Sequence, residues 1–188
     1  MRNRVRIIAG KWRSRIVKFP PAMQLRPTPD RVRETLFNWL GQRLDALACL
    51  DLFAGSGALG FEALSRGAAR VVMIERDRAV AKALRESARA LQAPAEVIES
   101  DALAYLERAP ERFDLAFVDP PYASDLAARA LALLPRCLNE GARVYVESPQ
   151  AVSPQGRWTE LKRARAGQVS YQLLQWRGDD QGGLSRHV

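Results

Sequence analysis

Four consecutive residues, Asp119-Pro120-Pro121-Tyr122, bring together groups that could hold a planar amine. They follow an apolar run, Leu115–Val118, which predicts a buried strand. Each proline fixes φ at about −65° and lacks an N–H, so the chain turns rigidly and its carbonyls can accept hydrogen bonds. The carboxylate and one carbonyl could accept both protons of an exocyclic NH2 group while the ring stacks on the base. This arrangement favours the pyramidal, nucleophilic form of the amine. The alternative is that the same four residues form an ordinary turn after a strand.

A glycine-rich segment, residues 50–60, joins another apolar run to a predicted helix. Gly55, Gly57 and Gly60 have the G-x-G-x-x-G spacing of a loop that binds a nucleotide-type cofactor. NAD-binding loops share this spacing, so the glycines alone do not identify the cofactor.

Three acidic residues could contact such a cofactor, and an acid in the place of Glu75 is also typical of NAD-binding proteins. Glu75 ends the next apolar run and could bind both ribose hydroxyls, and Asp101 follows the third run, where it could bind the adenine amine or cap a helix. Asp51 begins the glycine-rich loop and suits a cationic amino group better than a pyrophosphate. Because an amine-binding segment needs an alkyl donor more than a hydride carrier, the sequence predicts S-adenosylmethionine.

Composition narrows the class of protein. Of the 188 residues, 47% are hydrophobic and 27% charged, which is typical of a soluble globular protein. No apolar run approaches the ~20 residues that span a bilayer, and the basic N-terminus leads into no signal-peptide core, so we expect a cytoplasmic protein without membrane contact. Cys49 and Cys137 are expected to be buried thiols. The only histidine, His187, lies in a polar tail, which argues against a histidine-based triad, a metal site and a histidine general base.

The positive charge is concentrated at the N-terminus. Residues 1–33 contain ten basic residues and one acid, whereas the other 155 contain 19 bases and 20 acids. Basic residues flank Ala9-Gly10, which predicts a basic hairpin over about residues 4–18 that binds a polyanion. A solvated basic edge that prevents strand aggregation is the alternative. The candidate RNA-binding residues are Arg4, Arg6, Lys11, Trp12, Arg13 and Arg15, and Trp12 could instead pack against the domain.

Strand and helix patterns alternate along the rest of the chain, which predicts an α/β fold with a mostly parallel sheet covered on both faces. We expect one domain over 1–188, with a basic extension (1–27), a core (28–177) and a flexible tail (178–188). Thr28 and Asp30 suit the start of a first helix. The predicted strands are 48–52, 70–75, 95–99, 113–118, 142–147, 158–165 and 168–176, and the predicted helices are 58–66, 78–91, 102–108 and 125–135. Asp77 and Ser124 are candidate N-caps.

The chain resembles the Rossmann-like class I S-adenosylmethionine-dependent methyltransferases. It is most similar to bacterial small-subunit (16S) ribosomal RNA guanine-N2 methyltransferases of the RsmD type. The resemblance runs over most of residues 4–148 and is carried by 6–13, 25–40, the loop 50–60 and the segment 119–122. The stretch Arg-Pro-Thr followed by Arg-Glu-Thr-Leu-Phe-Asn is its more specific mark. Pro29 stands where a small polar residue is expected.

The resemblance implies a seven-stranded sheet with a C-terminal antiparallel hairpin, and S-adenosylmethionine as the cofactor. The expected partner is small-subunit ribosomal RNA or an assembling 30S particle, and the protein is expected to be a monomer. The target guanine would be flipped out, with Asp119 and the Pro120 carbonyl accepting its N2 protons and Tyr122 stacking on it. The implied catalytic residues are Asp119, Pro120, Pro121 and Tyr122. The implied cofactor contacts are Arg26, Thr28, Asp51, Phe53, Ala54, Gly55, Ser56, Gly57, Glu75, Arg76, Asp101, Ala102 and Asp119.

Three other functions remain open from the sequence. A DNA adenine-N6 or cytosine-N4 methyltransferase would bind its amine with the same four residues. An NAD-dependent oxidoreductase is disfavoured by the absence of a proton-handling histidine. A non-catalytic RNA-binding protein is disfavoured by the presence of Asp51, Glu75 and Asp119 together.

Overall fold

The computed structural model describes residues 3–20, 29–121, 125–153 and 155–178. Within these residues the strands are β1 (Arg4–Arg6), β2 (Ile16–Lys18), β3 (Ala48–Asp51), β4 (Arg70–Glu75), β5 (Ala95–Glu99), β6 (Phe113–Val118), β7 (Leu138–Ser148), β8 (Trp158–Ala166) and β9 (Val169–Trp176). The helices are α1 (Asp30–Leu40), α2 (Ala58–Ser65), α3 (Arg78–Leu91), α4 (Ala102–Arg108) and α5 (Leu126–Leu133), with a 3-10 helix over Leu134–Cys137.

Seven strands form one sheet in the order β5-β4-β3-β6-β7-β9-β8, and β1 pairs with β2 in a separate antiparallel hairpin. The neighbours from β5 to β7 are parallel, whereas β9 is antiparallel to both β7 and β8. The predicted α/β architecture, its closing hairpin and its N-terminal hairpin are confirmed. Because β3 to β6 are parallel, the residues that follow them meet at one edge of the sheet, which we call the carboxyl edge.

Helices cover both faces of the sheet. The apolar residues of α1, α2, α3 and the N-terminal hairpin pack into one core cluster, and those of α4 and α5 pack into the other. On α3 the apolar stripe of Val80, Leu84, Ala88 and Leu91 is buried. Asp77 caps this helix, since its side chain accepts hydrogen bonds from the N–H groups of Ala79 and Val80. Such a cap stabilises a helix by about 1 kcal/mol.

Some element boundaries differ from the predictions. The helix predicted over 125–135 ends at Leu133 and continues as a 3-10 helix, because Pro135 has no N–H for the α-helical ladder. β7 begins at Leu138 instead of 142, and its pairing with β6 shifts register between Phe113 and Leu115. The predicted cap Ser124, the helix-start residue Thr28 and the tail beyond Gly178 lie outside the described residues.

Both cysteines are buried, as predicted, and burial raises the pKa of the Cys49 thiol to about 12 and that of Cys137 to about 11. Both thiols are therefore protonated at neutral pH. Among the described residues, no helix has the length and apolarity needed to cross a membrane.

Candidate cofactor and amine-binding site

The glycine-rich loop is attached to the two strands beside β3. The N–H of Leu52 donates to the carbonyl of Phe117 in β6 at 3.1 Å, and that of Ala54 donates to the carbonyl of Ile74 in β4 at 2.9 Å. The sheet therefore fixes the loop before α2 begins, and the backbone of Gly55 to Gly57 lies at the carboxyl edge.

Gly57 of this loop and Gly60 in the first turn of α2 lie where a side chain would clash with neighbouring atoms. Gly57 has a φ of +76°, and a β-carbon there would lie 2.6 Å from the ring of Phe61. A β-carbon at Gly60 would lie 2.5 Å from the methyl of Met73 and 3.0 Å from Asp51 Oδ2. A side chain at Gly57 would strain the backbone and crowd Phe61 of α2, whereas one at Gly60 would push α2 away from the sheet.

Asp51 is a buried carboxylate at the end of β3, with 2% of its surface exposed. Its Oδ2 accepts a hydrogen bond from the N–H of Gly60 at 3.0 Å. The pKa of Asp51 is raised to about 7, chiefly by burial and also by the charges of Asp119 and Glu75, while the Gly60 hydrogen bond lowers it in part. This carboxylate therefore becomes more stable as an anion when a cation is placed beside it.

Glu75 holds the glycine-rich loop from the end of β4. Its Oε2 accepts from the N–H of Gly55 at 3.0 Å, and its Oε1 accepts from the N–H of Asp77 at 2.8 Å. A carboxylate has about four acceptor positions, so these two bonds leave room for hydroxyl donors on the side facing the edge. Glu75 is buried, so it is not a freely solvated strand end.

Asp101 caps α4, as its alternative interpretation proposed. Its Oδ1 accepts from the N–H groups of Leu103 and Ala104 at 2.9 and 3.0 Å. The side chain is exposed at the same edge, so adenine recognition by Asp101 stays a prediction. Ala102 is buried, and Arg76 is exposed one residue after Glu75.

The residues that follow β6 line a cavity between two strand ends. Asp119 and Pro120 are half-buried, and the same cavity is lined by Glu147 and Ser148 at the end of β7. Glu147 is itself buried and accepts a 2.7 Å hydrogen bond from the hydroxyl of Tyr145. Sequence analysis did not identify Glu147, because it appears there only as the polar end of a strand.

The charges at this edge fit S-adenosylmethionine, which is a cation at both its sulfonium and its ammonium. Asp51 is held as a buried acid whose pKa is raised by two further carboxylates, and a bound cation would offset that repulsion. The glycine-rich loop also leaves its backbone open to close approach. The residues present therefore fit the predicted cofactor.

The N-terminal hairpin docks on the far end of α2. Glu62 accepts hydrogen bonds from the N–H of Ile8 at 2.8 Å and from that of Ala9 at 3.0 Å. Ser65 accepts from the N–H of Trp12 at 2.9 Å through its Oγ, which donates in turn to the Ala9 carbonyl at 2.5 Å. The segment Ala9-Gly10, predicted as a hairpin tip, is therefore attached to the domain.

A buried charge network supports this docking. Glu62 Oε1 lies 2.8 Å from Arg66 Nε, and Glu62 Oε2 lies 3.5 Å from Arg33 Nη1, with all three side chains almost fully buried. Arg33 also pairs with Asp30 and donates to the carbonyl of Arg6 at 2.9 Å. Arg33 therefore belongs to a buried charge network whose partners lie both in its own helix and outside it.

Five of the six candidate RNA-binding side chains are exposed: Arg4, Arg6, Lys11, Arg13 and Arg15. Trp12 is 7% exposed and belongs to the core, with Lys11 Nζ 5.6 Å from its ring centre. Of the two alternatives for Trp12, the structure shows packing, and stacking on RNA would require the indole to leave the core. Arg26, Thr28 and Tyr122 lie outside the described residues.

Comparison with known proteins gives consistent matches. Residues 5–175 match the family model described as Conserved hypothetical protein 95. The chain is 44% identical over 184 residues to the ribosomal RNA small subunit methyltransferase D of Haemophilus influenzae, covering 93% of this chain and 95% of that protein. It is 43% identical over 179 residues to the protein of the same name from Escherichia coli K12, covering 92% and 90%.

Comparison with solved structures also gives matches to methyltransferases. A putative methyltransferase from Escherichia coli superimposes with a TM-score of 0.86 at 43% identity, covering 94% of this chain and 99% of that chain. A Thermus thermophilus 16S rRNA N2 G1207 methyltransferase, solved in complex with AdoMet and guanosine, has a TM-score of 0.66 at 23% identity. It covers 94% of this chain and 50% of the other, and at this identity it shows the shared fold alone.

Proposed function

This chain belongs to the RsmD family of ribosomal RNA small subunit methyltransferases, and on that premise we propose that it methylates the exocyclic N2 amine of a guanine in 16S ribosomal RNA, with S-adenosylmethionine as methyl donor. One observation carries the proposal. Asp119 follows β6 directly beside the glycine-rich loop that follows β3, and its charge acts on Asp51. An amine acceptor and a loop suited to the donor therefore share one edge.

The chain's own residues supply binding and orientation. The backbone of Gly55 to Gly57 would contact the methionine part of the donor, with Asp51 near its ammonium. Glu75 would bind the ribose through the acceptor positions that its two backbone bonds leave, and Asp101 would bind the adenine. When bound, the donor supplies a methyl group attached to a positively charged sulfur.

Asp119 and the Pro120 carbonyl would each accept a hydrogen bond from the N2 amine. These two bonds would turn the amine lone pair toward the methyl carbon. The new N–C bond forms as the C–S bond breaks, and the electron pair of that bond stays on sulfur. The alkylated amine then loses one proton to solvent, so no dedicated base is required. Positioning supplies most of the rate acceleration in such an in-line displacement.

The target base would leave its stack to reach Asp119, with Tyr122 stacking on it. Stacking on an aromatic side chain contributes about 1–3 kcal/mol per base, which offsets an unstacking cost of a few kcal/mol. The exposed basic residues of the N-terminal hairpin would bind phosphates. In this proposal Trp12 supports the hairpin from the core.

A methyl-transfer assay tests the proposal. Labelled S-adenosylmethionine is supplied with naked 16S RNA, with small subunits carrying their proteins, and with duplex DNA, and the products are digested to nucleosides. We expect label in N2-methylguanosine from one or both RNA substrates. Label in N6-methyladenine or N4-methylcytosine from DNA would overturn the substrate, and no transfer together with no cofactor binding would leave only an RNA-binding function.

A further inference from the structure

The C-terminal hairpin brings a second basic surface to the carboxyl edge. Ser148, at the end of β7, pairs with Ser170 of β9, and Ser170 pairs with Arg165 of β8. Arg163 pairs with Gln172 one step further along β8. The end of β8 therefore lies at the same edge as Asp119, whereas the N-terminal hairpin loop docks at the opposite end of α2.

These arginines line a groove next to the cavity beside Asp119. The cavity beside Asp119 is bounded by Pro149. Pro149 also bounds a second groove, whose other lining residues include Gln150, Ala151, Arg163, Arg165 and Ser170. The two depressions are therefore neighbours that meet at Pro149.

The charge of this surface suits a phosphate backbone. The last five residues of β8, 162–166, hold three exposed basic residues and no acid, a local excess that the near-neutral sum over residues 34–188 conceals. Both arginines are exposed: Arg163 contacts Glu160 through Nε and Nη2, and Arg165 contacts the Gly167 carbonyl through Nε alone. Guanidinium groups bind phosphates bidentately, and Arg165 retains its two Nη groups for that contact.

Protection of an edge strand is the simpler explanation, since β8 ends the sheet and charged side chains discourage strand addition. That explanation accounts for charge anywhere along β8. It does not account for both arginines lining a groove that adjoins the cavity of Asp119 at Pro149.

We propose that the groove lined by Pro149, Gln150, Arg163 and Arg165 binds the phosphate backbone of the RNA strand next to the target base. This inference rests on the proposed RNA methyltransferase function and adds a substrate contact to it. Arg163 and Arg165 are positioning residues, because they would bind the RNA strand but would not contact the reacting amine beside Asp119.

The test compares the wild-type protein with Arg163→Gln/Arg165→Gln. For naked 16S RNA we expect a higher KM with unchanged kcat and unchanged affinity for S-adenosylmethionine. The slope of log Kd against log salt should become shallower by about 0.7 for each phosphate that the variant no longer binds. Arg163→Lys/Arg165→Lys keeps both charges and should retain most of the slope, which separates a phosphate contact from damage to the hairpin. Melting temperatures confirm that the variants fold.

Arg108→Gln/Arg136→Gln is the matched control, because it removes two exposed charges at the opposite edge of the sheet. If the Arg163/Arg165 variant matches this control in KM and salt slope, the inference is wrong and edge protection explains the charges. If the wild-type protein itself transfers no methyl group to RNA, the proposed function fails first. The two failures are therefore distinguishable.

Discussion

The carboxylate of Asp51 accepts a hydrogen bond from the backbone N–H of Gly60 over 3.0 Å, which joins the end of β3 to the first turn of α2. The glycine-rich loop is closed by this bond at the point where the donor's ammonium would bind. Because the carboxylate is buried and faces two other acids, its ionisation should control both stability and cofactor binding.

We expect Asp51→Asn to stabilise the unliganded protein at pH 8 and to abolish S-adenosylmethionine binding. The pKa of Asp51 is about 7 in the folded protein against 3.8 when unperturbed. Because the pKa is raised, the folded protein favours protonated Asp51. The stability that this protonated carboxyl contributes is fully present below about pH 4 and is lost as the pH rises through 7. An amide is neutral throughout and can still accept the Gly60 hydrogen bond.

Thermal melting at pH 5 and pH 8 checks this prediction. The variant should lose less stability than the wild type between the two values, and its melting temperature should not rise when cofactor is added. Glu86→Gln removes an exposed carboxylate and serves as control. An identical pH dependence in Asp51→Asn and wild type would show that Asp51 is ionised in the unliganded protein.

Asp119→Ala should reduce methyl transfer to background while leaving the affinity for S-adenosylmethionine within about twofold. The substitution removes an acceptor for the amine and leaves the glycine-rich loop intact. Single-turnover rates and calorimetric binding measure the two effects separately. Asp125→Asn, an exposed carboxylate nearby, is the control. A normal rate in Asp119→Ala would remove the segment 119–122 from the mechanism.

Glu62→Gln should lower the free energy of unfolding by about 3–5 kcal/mol, because it leaves Arg33 and Arg66 buried without their shared anion. Urea unfolding gives this value directly. Glu107→Gln, on the exposed side of α4, should change it little. A decrease smaller than about 1 kcal/mol would mean that the two arginines find other partners.

Gly10→Ala should detach the hairpin loop without disturbing the cofactor site. A β-carbon at Gly10 would lie 1.8 Å from the Ser65 carbonyl oxygen, at a φ of +81°. We expect weaker RNA binding with unchanged S-adenosylmethionine affinity. Gly156→Ala is the matched control, since Gly156 has a similar φ of +67° and no described residue within 4 Å of the added β-carbon. Equal RNA affinity in both variants would show that docking of the loop does not contribute to binding.

Neutralising Arg4, Arg6, Arg13 and Arg15 to Gln should weaken RNA binding and flatten its salt dependence, with a decrease in slope of about 0.7 for each phosphate left unbound. Fluorescence anisotropy at several salt concentrations measures the slope. The change per charge removed should exceed that of Arg108→Gln/Arg136→Gln. A slope equal to that of the wild type would favour the solvated basic edge.

The sequence predicted most strands within one or two residues because the apolar runs, such as Val71–Ile74, are bounded by polar residues or glycine. The start of β7 was missed because Asn139, Glu140 and Gly141 interrupt its apolar pattern. Asp51 and Glu75 could be proposed from their place after apolar runs.

The residues that sequence analysis missed act across long separations. Glu62 appears as a single acid in an apolar helix, and its partners Ile8 and Ala9 lie more than fifty positions earlier in the chain. Glu147 lines the same cavity as Asp119 only because β7 pairs with β6 in the folded sheet. No local spacing encodes such contacts, so they become visible only in the folded chain.

Helix α2 begins at the glycine-rich loop and ends at Ser65, where the N-terminal hairpin docks. At about 1.5 Å per residue its eight residues set a fixed distance of roughly 12 Å between the two. Under the proposed function, α2 fixes the distance between the RNA-binding hairpin and the bound methyl donor. An RNA would be selected by how far its reactive base stands from an anchored stretch of backbone, and adding one helical turn to α2 would change which base is reached.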